Sequence, residues 1–411
     1  MQVTAQAGTA PPEQRGRART MVMRAFLAQN VAVGCAFGGF GVSVLPLQQK
    51  YAASAAQTGL ALALCVLVLG AVSPFVGTLI GRIGLRWTML AGAVLSALGY
   101  LGLAFAPSMP VVLGLYALPV GIGLAMFGPF PASVLASNWN AHNPGLALGI
   151  ANTPLLAALL PVIGMAVIRD SSLTTLYLLL AALHVALLPV LLGVSDSPGD
   201  RAQAADAHGH VAHAMVPSRV VLRTLMFWVM SLGGGFLAAV GIAGVSHLGP
   251  FAAERGIAPG ETAVLLSVMG GAAVVGSLLV GFLCSRLGAT RTLALVAALL
   301  GASWGILLAT KAFPVMALAT LLIGACGAGV FPAVNILAGR LFGQDSLPRV
   351  IGLYAIATLP ITFLLPPGAG LLHDAAGDYG PVVAAFMAGC AAIAVAFALS
   401  RRVAERPIAA A

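Results

Sequence analysis

Charge is what this sequence has least of. Only 8% of its residues are Asp, Glu, Lys or Arg, whereas 60% are hydrophobic and the mean hydropathy is +1.02. A water-soluble surface needs roughly a quarter of the residues to be charged. A soluble fold is therefore excluded, and lipid is the expected solvent. The net charge of +9 does not point to nucleic acid, because the basic residues fall in short groups between apolar runs rather than along one face. Cysteine is sparse too: Cys35, Cys65, Cys284, Cys326 and Cys390 all lie inside apolar runs without paired spacing. They read as buried thiols, not as disulfides or a metal site. No Gly-rich loop ends in Lys-Ser or Lys-Thr, which argues against an ATP-driven pump. The first residues show no cleavable signal pattern, since Arg15, Arg17, Arg19 and Arg24 precede a run long enough to stay in the membrane.

What is present instead is a series of long apolar runs. A membrane span needs about 20 such residues. That criterion places helices at 25–48, 58–80, 88–106, 110–136, 145–168 and 174–193, then at 223–249, 261–284, 292–309, 313–338, 350–371 and 381–399. Twelve spans put 16 of the 20 Lys and Arg residues on the side of the N-terminus, leaving Lys50, Arg169, Arg255 and Lys311 opposite. By the positive-inside rule both termini are expected in the cytoplasm. The expected division is a tail at 1–24, a bundle at 25–193, a cytoplasmic linker at 194–222, a bundle at 223–399 and a tail at 400–411. The linker contains His208, His210 and His213. Without Cys or carboxylates at ligand spacing, these read as a solvated loop.

The runs also repeat. Gly77-Thr-Leu-Ile-Gly-Arg82-Ile-Gly84-Leu-Arg86 returns 204 positions later as Gly281-Phe-Leu-Cys-Ser-Arg286-Leu-Gly288-Ala-Thr-Arg291. Pro46 and Pro250, Phe127 and Phe331, Pro144 and Pro348, and Asp170 and Asp374 keep the same offset. Glycine pairs arise easily by chance in such a chain, but matched Arg, Asp and Pro do not. The chain reads as a duplication: an all-α membrane protein of twelve transmembrane helices in two pseudo-symmetric six-helix bundles. The basic residues Arg82, Arg86, Arg286 and Arg291 are expected at the negative end of the helix that precedes them.

The Gly77 stretch resembles the motif between the second and third spans of the major facilitator superfamily, and the Gly281 stretch resembles its copy between the eighth and ninth. Further motifs are Phe40-Gly41-Val42, Asn138-Trp139 before Gly145-Leu-Ala-Leu-Gly149-Ile, His247-Leu-Gly-Pro250 and Gly370-Leu-Leu-His-Asp374-Ala-Ala-Gly377-Asp-Tyr379. These resemble the monocarboxylate-transporter-like and oxalate/formate-antiporter-like branch. The resemblance implies a monomeric transporter without a cofactor, with a cytoplasmic gate built on Gly77, Arg82, Gly84, Arg86, Gly281, Arg286, Gly288 and Arg291. Three departures stand out. Gly81 and Ser285 replace the acidic residue that usually precedes the arginine, which removes the usual ion pair. Asn140-Ala-His142-Asn143-Pro144 replaces an arginine-bearing loop. Ser277 follows Gly276 where the branch often has an arginine that grips a carboxylate.

No Lys, Arg, Asp or Glu lies deep within any expected span, so the ionisable candidates there are His184 and His247. His184 reads as a satisfied helix–helix contact. His247 is balanced between packing and the binding of substrate or proton. Helices 1, 4, 7 and 10 line the cavity in the superfamily, which nominates Asn30, Phe37, Tyr116, Trp228, Ser231, Phe331 and Asn335. Asn152 in helix 5 joins them, as do Tyr354 and Thr358, which share one face of helix 11 at (i, i+4). Prolines 129, 131, 154, 161, 332, 360, 366 and 367 mark kinks of the kind that permit rocking. The expected function is secondary transport across the cytoplasmic membrane by alternating access, with a monocarboxylate as the candidate solute and a proton as the candidate coupled ion. Efflux of apolar compounds is the runner-up. A membrane enzyme or sensor comes third, because His373, Asp374 and Asp378, the nearest approach to a catalytic cluster, fit a helix-end turn better.

Overall fold

The computed structural model describes residues 12–140, 144–197, 216–343 and 346–404. Twelve helices within them are long and apolar enough to span a bilayer. In chain order they are α1 (Arg15–Tyr51), α2 (Ala55–Ile83), α3 (Leu85–Ala104), α4 (Met109–Trp139), α5 (Leu146–Asp170), α6 (Leu173–Leu192), α7 (Leu225–Glu254), α8 (Pro259–Leu287), α9 (Ala289–Ala309), α10 (Phe313–Phe342), α11 (Arg349–Ala376) and α12 (Gly380–Ser400). Most outrun the expected ranges, α1 by ten residues at its start, because hydrogen bonding continues past the edge of the hydrocarbon that hydropathy detects. His208, His210, His213, His142 and most of the expected linker lie outside the described residues.

The duplication is visible in the helix bounds. Both ends of α2 and α8 differ by the same 204 positions that separate Gly77 from Gly281. Each half has its own core. One runs from Met21 to Val194 around Phe40, Tyr100, Tyr116 and Phe127. The other runs from Val221 to Phe397 around Phe227, Phe251, Trp304 and Phe342. All five cysteines are free and buried.

The two halves meet along α2 and α11, α5 and α8, and α1 and α7. Small residues make these seams close. A Cβ on Gly270 would lie 2.7 Å from the Ala157 carbonyl oxygen, and one on Gly41 would lie 3.3 Å from that of Val245. Inside the second half α8 is seated on α10 in the same way. A side chain at Gly276 would strike Ala325, and one at Gly324 would strike the Met269 carbonyl.

The helices break where proline removes a donor. α5 is interrupted at residues 152–154, and Pro154 begins its second segment. Asn30 on α1 repairs the break. Its amide donates to the carbonyls of Thr153 and Phe26, each at 2.9 Å, and its oxygen accepts from the Leu156 N–H at 2.8 Å. Asn152 ties the same break to α4 by donating to Ser133 Oγ at 2.9 Å. Glycine and proline also loosen α1 and α4, where single π-helical turns cover Gly34–Gly39 and Tyr116–Val120.

In lipid no water is at hand to replace these bonds. Asn30→Leu should therefore lower stability by about 1–3 kcal/mol through unpaired backbone groups at the α5 break. Thermal unfolding of the purified protein in detergent checks this, and a melting temperature equal to that of the parent would refute the repair role.

Candidate functional site

Two faces of the bundle are distinguished by their turns. The first carries Ser54, between α1 and α2. The second carries Gly84, between α2 and α3. On the Ser54 face the halves are hydrogen-bonded to each other: the Asp374 carboxylate at the end of α11 accepts from the backbone N–H groups of Ala55 and Ala56, at 3.1 and 3.2 Å. Those are the first residues of α2, where unpaired donors and the helix dipole favour a negative charge. Ser54 and Gln57 complete the same helix start with a capping box. On the Gly84 face the glycines of the gate motif are open: a Cβ at Gly81, Gly281 or Gly352 would meet nothing within 4 Å, and one at Gly77 would touch only Phe130 of its own half.

Between the faces lies a cavity of about 360 Å³, walled by α1, α5, α7, α8 and α10. Phe37, Pro154, Ile242, Met269 and Ile323 supply its bulk, and Gly241 of α7 and Gly327 of α10 pack against each other in its wall. None of its lining residues is charged, and none has a polar side chain. Among the described residues there is no group of His, Cys, Asp and Glu able to hold a metal.

The sequence-derived candidates distribute unevenly around this cavity. Phe37 lines it. Asn30 and Asn152 are engaged at the α5 break beside it. Tyr116 is fully buried in the first core, with its hydroxyl 3.4 Å from that of Tyr177 and its ring edge-on to Phe40. Tyr354 and Thr358 pack on Gly234 and Gly235 of α7. Ser231 is buried, and its hydroxyl has no hydrogen-bond partner. Trp228 donates to the Leu222 carbonyl at 2.8 Å, and the Asn335 amide donates to that of Phe331 at 2.9 Å. Phe331 is more than half exposed. His184 Nδ1 donates to the Leu180 carbonyl of its own helix at 2.7 Å, and its ring packs on Tyr100 and edge-on against Phe127.

His247 lies at the Ser54 face rather than in the cavity. Its Nε2 is 2.8 Å from the Pro366 carbonyl, which can only accept, so that nitrogen carries the hydrogen. Nδ1 is then the acceptor for the Tyr379 hydroxyl at 3.1 Å. Burial and the neighbouring Glu254 and Asp374 carboxylates push the Tyr379 phenol up, which keeps its proton available for that bond. His247 is held as a neutral tautomer that joins α7, α11 and the turn before α12.

The gate motif carries a carboxylate that the motif itself lacks. Gly84 and Gly288 both turn the chain at positive φ, +83° and +88°. Because of that reversal Arg86 lies in the first turn of α3, and its Nε donates to the Val194 carbonyl at 2.6 Å. It therefore serves the end of α6, not the end of α2 as expected; Arg291 likewise falls in the first turn of α9. Arg82 and Arg286 do occupy the last turns of α2 and α8, with Arg286 over the Phe282 ring. Asp196, just after α6, accepts from the Leu85 N–H at 2.8 Å and so caps α3. Asn138 and Trp139 hold this segment by donating to the carbonyls of Asp196 and Ser195, at 2.9 and 2.7 Å. Asp196 falls in the stretch expected as linker. In the second half the corresponding position is Ser400, and the side chain nearest a Cβ on Gly288 is the Arg340 guanidinium at 4.0 Å.

Residues 26–255 and 232–410 match the family model described as Major Facilitator Superfamily. Among solved structures, a bacterial homolog of the human lysosomal transporter Spinster is similar with a TM-score of 0.69 at 15% identity, over 97% of this chain and 96% of that one. The nucleoside transporter NupG gives 0.73 at 12% identity, over 93% and 99%. A D-xylose–proton symporter gives 0.67 at 15% identity, over 92% and 97%. No relative was found among curated proteins.

Removing the Asp196 carboxylate tests the gate. Asp196→Ala should cost about 0.5–2 kcal/mol, the usual loss of an N-terminal cap, and Asp196→Asn should cost less. Thermal unfolding of the two variants measures this, and equal, parent-like stability of both would show that the cap is idle.

Proposed function

The chain belongs to the major facilitator superfamily, and from that premise we propose that this multi-pass membrane transporter moves a small uncharged organic solute by alternating access, without spending ATP. The observation that carries the reading is the central cavity, whose wall offers neither a charge nor a polar side chain. An ion stripped of water there would lose several kcal/mol of solvation with nothing to offset it. An apolar molecule would lose nothing of the kind. A volume of about 360 Å³ suits a small one. The Asp374 contacts that tie the halves together at the Ser54 face are the kind of closure that alternating access would make and break.

The branch motifs favour a second reading, in which the solute is a monocarboxylic acid. In this cavity it would have to be carried as the neutral acid, since the helix 8 position where the branch often has arginine is Ser277. Placement in the cytoplasmic membrane, with the Gly84 face inside and the protein acting as a monomer, completes the proposal. The distribution of basic residues supports that orientation. Efflux differs from uptake only in the sign of the driving gradient.

Proteoliposomes settle between the readings. Neutral apolar solutes should show saturable counterflow, and carboxylates should move in proportion to their undissociated fraction, falling about tenfold per pH unit above the solute's own pKa. Gly241→Leu, which fills the cavity, should reduce flux at least tenfold while the protein stays monodisperse. Flux of permanently charged anions, unaffected by Gly241→Leu, would overturn the proposal.

A further inference from the structure

Besides the central cavity the structure holds another, of about 650 Å³, whose lining shares no residue with it. It lies at the Gly84 face, between the first turns of α1, Trp139 at the end of α4 and Ser195 after α6. Arg17, Thr20 and Arg24 stand at i, i+3 and i+7 of α1, so one face of the helix presents all three to the cavity. Arg15 and Arg19 belong to the far side of the same turns and do not line it.

Among the described residues nothing answers the charges of Arg17 and Arg24. Neither guanidinium pairs with a carboxylate or donates to an oxygen. The hydrogen bond they do make runs from Arg24 Nη1 to the Met21 thioether, a weak acceptor, at 3.8 Å. Asp196 is turned to the Leu85 N–H, and the carbonyls of Val194, Ser195 and Asp196 are taken by Arg86, Trp139 and Asn138. The Thr20 hydroxyl is spent on the Gly16 carbonyl at 3.1 Å. Yet the Arg24 guanidinium is not loose in solvent. It is half-buried and lies against Gly193 at the end of α6, where any side chain would strike it. An arginine that served only to set topology would need no such seat.

We infer that this corner is a binding site for a phosphate-bearing anionic headgroup, that of a phospholipid in the leaflet at the Gly84 face. Each guanidinium can offer paired N–H donors to phosphate oxygens, and basic side chains at the membrane surface draw anionic lipid to them. Lipid is favoured over a soluble anion by what continues the same helix face. Leu27, one turn deeper in the span than Arg24, and Met23 at (i, i+4) to it are exposed and apolar. Acyl chains can lie there while the headgroup reaches the two arginines, and Trp139 carries the amphipathic ring usual at that depth. The site is built from the first half alone and does not depend on which solute is moved.

Native mass spectrometry of the intact protein in detergent, titrated with phosphatidylglycerol or with phosphatidylcholine, whose choline offsets the phosphate charge, tests this. The parent should hold phosphatidylglycerol about tenfold more tightly, the gain expected of charge-assisted contacts. Arg17→Gln combined with Arg24→Gln should abolish that preference. Arg15→Gln combined with Arg19→Gln, which removes the same charge from the far side of the helix, should leave it in place. Gly193→Ala, which displaces the Arg24 guanidinium without changing any charge, should weaken it at unchanged monodispersity. Three results each refute the site: no preference in the parent, an equal loss in both double variants, or displacement of the bound lipid by millimolar glycerol 3-phosphate, which would assign the cavity to a soluble anion. The readout needs no flux, so a transport assay that failed for every solute would leave this result standing.

Discussion

The structure depends on one constraint: within hydrocarbon, each backbone N–H and C=O must find its partner inside the protein. Most of the chain meets it by unbroken helix. The exceptions are the useful places, because a helix that is to bend must hand its freed groups to something else. α5 hands them to Asn30, and Pro366 shares its carbonyl with His247. Asn30 and Asn152, the amides beside the cavity, are spent at such a break, and the cavity wall is left bare. A cavity whose neighbouring amides are consumed by the backbone has none to offer a solute, and on this the proposal of an uncharged cargo rests.

The two faces follow from the same shortage of polar groups. With so few charges, the halves cannot be held by a distributed network. Each face relies on one carboxylate at the start of a helix. Asp374 caps α2 across the halves, and Asp196 caps α3 within the first half. In the proposed transport cycle the first contact is the one to be broken. The second keeps the end of α6 attached to its own bundle.

The twelve spans and the duplication were legible because bilayer thickness fixes the length of an apolar run, and because Arg, Asp and Pro recur at one offset. The helix ends were less so, since Arg15 or Tyr51 can continue a helix beyond the apolar layer. Contacts to the backbone were invisible in the residue sequence. Nothing in the composition of Ser195-Asp196 announces that it will meet the N–H of Leu85, and Arg86 changes partner only because Gly84 reverses the chain. The cavity was hidden for a different reason. Gly241, Gly327 and Ile242 read as packing residues in any apolar helix, and polar residues such as Tyr116 drew the eye instead, although its hydroxyl is answered by Tyr177 inside the bundle.

The tight seat of α8 on α10 has an evolutionary side. Gly276 and Gly324 leave no room for a single added methyl group on that seam, so both helices are frozen in composition along the line where they touch. On the opposing wall Gly34 and Gly38 of α1 are as confined, but the cavity-lining side chains Phe37 on α1 and Ile242 on α7 are not glycines held by contact and can change in size. Descendants of this chain that acquired a new cargo would be expected to have changed there, varying one half of the chamber while inheriting the other.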